Sequence, residues 1–186
     1  MFLTHLGLIN FRNYARLALD LPAGAVVLRG DNAQGKTNLL EAIYFLATTR
    51  STFTRLERQV INWPTLEQDA FPYGRVEGHV QRSNGVFRID ITILADANGQ
   101  FHKEMRLNGV KKRALDLVGH LNAVLFLPED IELVTGPPAT RRRYLDITLC
   151  QINPAYCRAL TQYNQALTQR NALLKQLAER RRGEDQ

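Results

Sequence analysis

Eight consecutive residues hold most of the chemistry that can be read from this sequence: Gly30-Asp31-Asn32-Ala33-Gln34-Gly35-Lys36-Thr37. Their order satisfies the pattern Gly-x-x-x-x-Gly-Lys-Ser/Thr, between an apolar run at residues 25–28 and a helical pattern from Lys36. Successive backbone N–H groups in such a loop curl into a concavity for an anion, and the start of the helix adds its dipole. Gly30 and Gly35 admit backbone geometry and a close phosphate approach that a Cβ would block. Lys36 supplies a point charge for the β- and γ-phosphates, and the Thr37 hydroxyl supplies a ligand for Mg²⁺. The expected occupant is a nucleoside triphosphate with its magnesium, and ATP is the expected nucleotide. The sequence has no Asn/Thr-Lys-x-Asp stretch of the kind that selects guanine.

Hydrolysis of such a nucleotide needs an apolar strand ending in a carboxylate. Two segments qualify by composition, residues 91–96 (ITILAD) and residues 124–130 (VLFLPED). The first lies on an alternating strand leading into a hairpin turn, so structure accounts for its acid. In the second, Pro128 precedes Glu129 and Asp130, and Glu129 is the candidate metal- or water-contacting carboxylate. A Ser-Gly-Gly phosphate sensor is absent, because the serines are Ser51 and Ser83 alone.

Two basic clusters could meet phosphate. Lys111-Lys112-Arg113 follows the Asn108-Gly109 turn, where a solvated hairpin tip is the plainer explanation. Arg141, Arg142 and Arg143 fall about 100° apart on a helix, so they cannot all face one DNA backbone. One is expected to pair internally, with Asp146 three or four positions on. His5, His79, His102 and His120 are scattered without metal-ligand spacing and read as structural. Cys150 and Cys157 read as reduced thiols, and Trp63-Pro64 as a packing anchor.

The elements that must position these residues follow from periodicity. Residues 2–9 and 16–20 read as strands around a Phe11-Arg12-Asn13-Tyr14 turn, and residues 25–28 as a buried central strand. Residues 36–47 are apolar nearly all round, as in a helix buried against a sheet. Residues 48–70 are polar and irregular, with a short helix near residues 55–60. Val76, Gly78 and Val80, then Phe87, Ile89, Ile91 and Ile93, then Phe101, Met105 and Leu107 alternate with polar neighbours. With the Asp96-Ala97-Asn98-Gly99 turn, this predicts an antiparallel meander with one wet face. Residues 124–127 read as another apolar strand. A helix follows from about Ala139, and a longer one from Pro154 to Gly183. The latter has a seam at Tyr156, Leu160, Tyr163, Leu167, Leu174 and Leu177, as in a coiled-coil stalk.

Composition sets the bounds. The chain has 186 residues, 45% apolar and 23% charged, with formal charge +6. These are globular values, which exclude disorder and collagen-like structure. Residues 139–186 hold nine basic and four acidic residues, against fifteen and fourteen in residues 1–138, so the positive field sits in the last quarter. Such a segment attracts polyanions. The N-terminus has no basic stretch before its apolar run, and no segment approaches the ~20 apolar residues of a membrane span, so a cytoplasmic location is expected.

Several stretches together resemble the RecF family, ABC-type ATPase heads related to the SMC proteins. They are Asn10-Phe11-Arg12-Asn13-Tyr14, the loop continuing into Asn38-Leu39-Leu40-Glu41-Ala42-Ile43-Tyr44, and Phe126-x-Pro128-Glu129-Asp130. Gly136-x-Pro138-x-x-Arg141-Arg142-Arg143-Tyr144-Leu145-Asp146 and Gln169-Arg170-Asn171-x-Leu173-Leu174-Lys175 complete the set. The phosphate loop is shared by many ATPases, whereas the Pro-Glu-Asp to Arg-Arg-Arg-Tyr-Leu-Asp block is more specific. The resemblance implies ATP binding, an ATP-dependent homodimer and slow hydrolysis. It also implies DNA binding at gaps, ends and single-strand/double-strand junctions, and partnership with RecO and RecR in loading recombinase during DNA repair and replication restart. It implies that Arg12 and Asn13 approach the nucleotide, and that residues 128–130 stand where such heads place a nucleotide-sensing hinge, here without its Gln.

The expected fold class is therefore α/β, a P-loop NTPase lobe of the ABC-ATPase type with an antiparallel β-meander and a C-terminal helical arm. Residues 1–136 form the ATP-binding lobe and residues 137–186 the start of the arm. The family's signature motif and second carboxylate are absent from the sequence, which predicts that this chain alone does not turn ATP over. A self-contained P-loop kinase for a small molecule is the first alternative, and a non-enzymatic coiled-coil interaction module the second.

Overall fold

In the computed structural model, residues 1–96 and 98–184 are described, without the side chains of residues 180–184. Ala97 in the predicted hairpin turn, and Asp185 and Gln186 at the end of the predicted arm, lie outside the described residues. Six strands form one antiparallel sheet in the order β2-β1-β3-β4-β5-β6. They are β1 (Phe2–Phe11), β2 (Tyr14–Asp20), β3 (Tyr73–Arg82), β4 (Gly85–Ala95), β5 (Phe101–Leu107) and β6 (Val110–Lys111). The meander predicted from alternation is thus continuous with the N-terminal hairpin. Pairing of Leu6 with Gly78 and Leu8 with Val76 joins the two.

Alternation decides the faces. Leu6, Leu8, Val76, Val80, Ile89, Ile91 and Ile93 are buried on one side, against helix α1 (Lys36–Thr48). α1 contributes Leu39, Ala42, Phe45 and Leu46 to that core. Gly78 allows the close approach, since a Cβ there would stand 2.6 Å from Leu46 Cδ1 and 3.0 Å from Leu3 Cδ1. On the opposite face Glu77 lies directly across from Asp90, a repulsive pairing by itself. Arg75 and Arg88 offset it: Arg75 pairs with Asp90 and Glu77, and Arg88 Nε lies 2.8 Å from Glu77.

Four shorter or outlying helices and one long one complete the fold: α2 (Trp63–Gln68), α3 (Ala114–Leu117), α4 (Glu132–Thr135), α5 (Pro138–Ile152) and α6 (Pro154–Glu184). The buried Gln151 side chain of α5 ties the helical hairpin to the lobe. It donates to the Ala123 carbonyl at 3.2 Å and accepts from the Ala123 N–H at 2.8 Å.

Two expectations are corrected. Residues 25–28 read as a buried strand and residues 124–127 as an apolar one, yet neither is a strand. Val27 is 88% exposed, and Val124 and Phe126 are each 80% exposed. A strand needs a neighbour to take its backbone hydrogen bonds, and among the described residues neither segment has one. The seam of α6 is likewise only partly covered: Leu160 and Leu167 are half-buried, while Tyr163, Leu174 and Leu177 are exposed.

Candidate functional site

The loop of residues 30–37 ends at Gly35, the residue before α1, whose φ of 98° and ψ of 5° lie in the left-handed region. That conformation turns the chain into the helix and is costly for residues with a Cβ. Space demands glycine as well. A Cβ at Gly35 would lie 2.6 Å from Asn13 Nδ2 and 2.7 Å from Asn13 Oδ1. Asn13 is the residue of the β1–β2 turn that meets the loop, and its Oδ1 accepts from Asn38 Nδ2 at 2.8 Å. Tyr14 adds a second tie, its hydroxyl donating to the Gly35 carbonyl at 3.2 Å. Ala33 also adopts a positive φ, 65°, so the loop is bent at two points.

The Lys36 ammonium lies across the loop it follows, donating to the carbonyls of Gly30 at 2.7 Å and Asp31 at 2.6 Å. Asp31, Asn32, Ala33, Gln34 and Thr37 are exposed around it. A cation, a helix start and a glycine-lined bend thus converge at one surface. The donor set suits a polyphosphate, and the Thr37 hydroxyl at the start of α1 suits a magnesium ion bound with it.

Arg12 and Asn13 are brought to this region in different ways. Asn13 touches the loop, whereas the Arg12 guanidinium is committed elsewhere. Its Nε and one terminal nitrogen donate to the two oxygens of Glu41 at 2.8 and 2.7 Å, and the other nitrogen donates to the Gln59 carbonyl at 2.8 Å. Glu41 is 0% exposed and also accepts from the Ser51 hydroxyl at 2.5 Å. Ser51 in turn accepts from the N–H groups of Phe53 and Thr54, both at 3.1 Å. One buried carboxylate therefore fastens α1, the β1–β2 turn and the segment after α1 together. Glu41 was missed as a structural residue, although a single acid inside an apolar helix run is the signal for a buried ion pair.

The remaining predicted residues separate. Glu129 is exposed without a side-chain hydrogen bond among the described residues, while Asp130 caps the turn of residues 128–131 by accepting from the Leu127 N–H at 2.7 Å. Lys111 pairs with Glu104 at 3.0 Å, and this hydrogen bond holds the Glu104 carboxyl below its ordinary pKa. Arg113 pairs with Asp116 at 2.9 Å and lowers that carboxyl too, while Lys112 is exposed. Of the arginine triplet, Arg141 is the internally satisfied one, but not through Asp146. It donates to the Gly136 carbonyl at 3.0 Å, beside those of Leu133 and Val134. Asp146 instead accepts from the Tyr156 hydroxyl at 2.5 Å, which pushes that phenol up. Arg142 and Arg143 stand exposed. The Cys150 thiol is pushed up to about 12 by burial and a hydrogen bond with Cys157, as suits an inert pair. No helix among the described residues is long and apolar enough to cross a membrane.

No family model matches the chain. Among curated proteins, the "DNA replication and repair protein RecF" of Chloroflexus aurantiacus is 45% identical over 189 residues, which covers 98% of this chain and 48% of that protein. The RecF of Geobacillus thermodenitrificans is 39% identical over 186 residues, covering 100% of this chain and 47% of that one. The chain thus spans about half the length of the curated relatives it matches. Solved structures described as "the recombination mediator protein RecF-ATP in RecFOR pathway" and its RecF-ATPrS counterpart superpose with a TM-score of 0.80 at 35% identity, over 94% of this chain and 45% of theirs. The resemblance seen in the motifs therefore extends over nearly the whole chain and its mixed α/β fold.

Proposed function

We propose that this chain is the nucleotide-binding half of a RecF-type DNA replication and repair protein, with ATP and Mg²⁺ held on residues 30–37. The observation that carries the reading is the shape of that loop, a glycine bend pressed onto Asn13 with the Lys36 ammonium on its rim. Similarity to RecF proteins, including solved structures whose descriptions name ATP, supports it.

Within this reading Gly30, Asp31, Asn32, Ala33, Gln34 and Gly35 surround the phosphates, Lys36 neutralises them and Thr37 ligates the magnesium. Held on these residues, the metal and triphosphate would supply a concentrated charge at that surface. The chain's own residues orient them: Asn13 sets the loop, and the Arg12–Glu41 pair fixes α1 beneath it. The whole protein dimerises with ATP, hydrolyses it slowly, binds DNA at gaps, ends or junctions, and works with RecO- and RecR-type partners in the cytoplasm. The additional length of the relatives gives room for strands that pair with residues 25–28 and 124–127.

Size-exclusion chromatography with light scattering on the whole protein tests this. The expected result is a monomer that becomes a dimer with ATP and Mg²⁺, and a Lys36→Ala variant that stays monomeric. A mass unchanged by ATP would refute nucleotide-driven dimerisation.

A further inference from the structure

A cavity of about 790 Å³ lies away from the phosphate loop, between the segment that follows α1 and the α5–α6 hairpin. Four arginines line it, Arg50 and Arg55 from the segment and Arg142 and Arg143 from α5. All four are exposed. Among the described residues none of their guanidinium groups makes an ion pair or a side-chain hydrogen bond. The other charged groups of the cavity are already engaged. Lys103 Nζ lies 2.7 Å from Glu57 and donates to the Thr49 carbonyl at 2.8 Å, and Asp146 holds the Tyr156 hydroxyl.

The cavity continues into a shallower hollow of about 430 Å³, which shares Arg50, Thr161 and Asn164 with it and runs past Gln165, Thr168 and Gln169. These α6 positions are spaced three and four apart and share one face. The Thr161 and Thr168 hydroxyls donate back to the Cys157 and Asn164 carbonyls, and among the described residues the side-chain amides of Asn164, Gln165 and Gln169 remain as free donors. The result is a pocket of uncommitted guanidinium groups grading into an uncharged track of amides.

Guanidinium forks match phosphate oxygens in pairs, and amides match sugar and base edges. The volume exceeds what one phosphate needs and is of the size that holds a nucleotide-sized group. We propose that a single strand of nucleic acid seats its phosphates among Arg50, Arg55, Arg142 and Arg143 and lays its sugar–base side along α6. This rests on the DNA-binding reading above. It places the contact at the base of the arm rather than at Lys111, Lys112 and Arg113, of which Lys111 and Arg113 are already paired.

The test is fluorescence anisotropy of a labelled single-stranded oligothymidylate on the whole protein, repeated across salt concentrations. Arg50→Ala, Arg142→Ala and Arg143→Ala are each expected to weaken binding about three- to tenfold and to lower the salt slope by about 1, with ATP affinity unchanged. Gln165→Glu, at an exposed position that cannot disturb the core, is expected to weaken binding as well. Wild-type protein that fails to bind the oligonucleotide but binds a gapped duplex overturns this site alone, and failure to bind either would remove the DNA-binding reading as well. Wild-type binding with arginine variants unchanged in affinity and slope overturns this site alone. Polyglutamate competing as well as the oligonucleotide overturns the assignment to nucleic acid, and loss of ATP affinity without loss of DNA reassigns the cavity to free nucleotide.

Discussion

Gly35 is constrained twice, by its left-handed backbone and by the amide of Asn13 in the space a side chain would take. Gly35→Ala is expected to lower ATP affinity at least tenfold, measured with a fluorescent nucleotide analogue. Adding Asn13→Ala should recover part of the loss, because it removes the collision but not the backbone strain. Unchanged affinity in the single variant would contradict this account of the loop. The Arg12–Glu41 pair calls for a different comparison. Removing one partner of a buried pair strands a charge and costs about 3–5 kcal/mol, whereas replacing both with apolar groups costs much less. Urea unfolding should therefore show Glu41→Gln strongly destabilised and the Arg12→Met/Glu41→Leu double variant closer to wild type. Equal losses in the two would place the stabilisation outside the pair. Lys36 and the two glycines could be read from spacing, since their chemistry is local. The part played by Arg12 could not, because its partner is 29 positions away along the chain.

The contact between α1 and the sheet depends on Gly78, which lets Leu46 press against β3. Gly78→Val is expected to cost about 1–3 kcal/mol in thermal or urea unfolding, since an added side chain must displace Leu46 or Leu3. A variant as stable as wild type would show that the helix can shift freely. The elements with one wet face were legible because alternation is local: β3, β4 and β5 match the runs at Val76, Phe87 and Phe101. The continuity of the meander with β1 was not legible, because the pairing of β1 with β3 joins residues about 70 positions apart. Residues 25–28 and 124–127 show the opposite failure. Their apolar sequence states what environment they suit, but burial needs neighbours, and Val27 and Phe126 have none among the described residues. α2 was hidden in a polar stretch, where Pro64 in its first turn is the one start signal.

At the scale of the molecule, the arginine-lined cavity includes Ser51, which Glu41 fastens to α1, and none of residues 30–37 lines it. Exposed apolar residues at Val27, Val124 and Phe126 give the 186-residue chain surface that an apolar dye should detect. That dye signal should fall in the whole protein, and a signal equally high there would show that the rest of the molecule leaves these segments uncovered. The isolated chain is also expected to release no phosphate from ATP above background, because its sequence has no Ser-Gly-Gly sensor and Glu129 stands exposed. Titration calorimetry of the whole protein with ATP, with and without Mg²⁺, tests the central claim most directly. The account predicts a saturable heat that Lys36→Ala abolishes and that Thr37→Ala reduces only when magnesium is present. No heat from the wild-type protein, or an undiminished heat from Lys36→Ala, would contradict it.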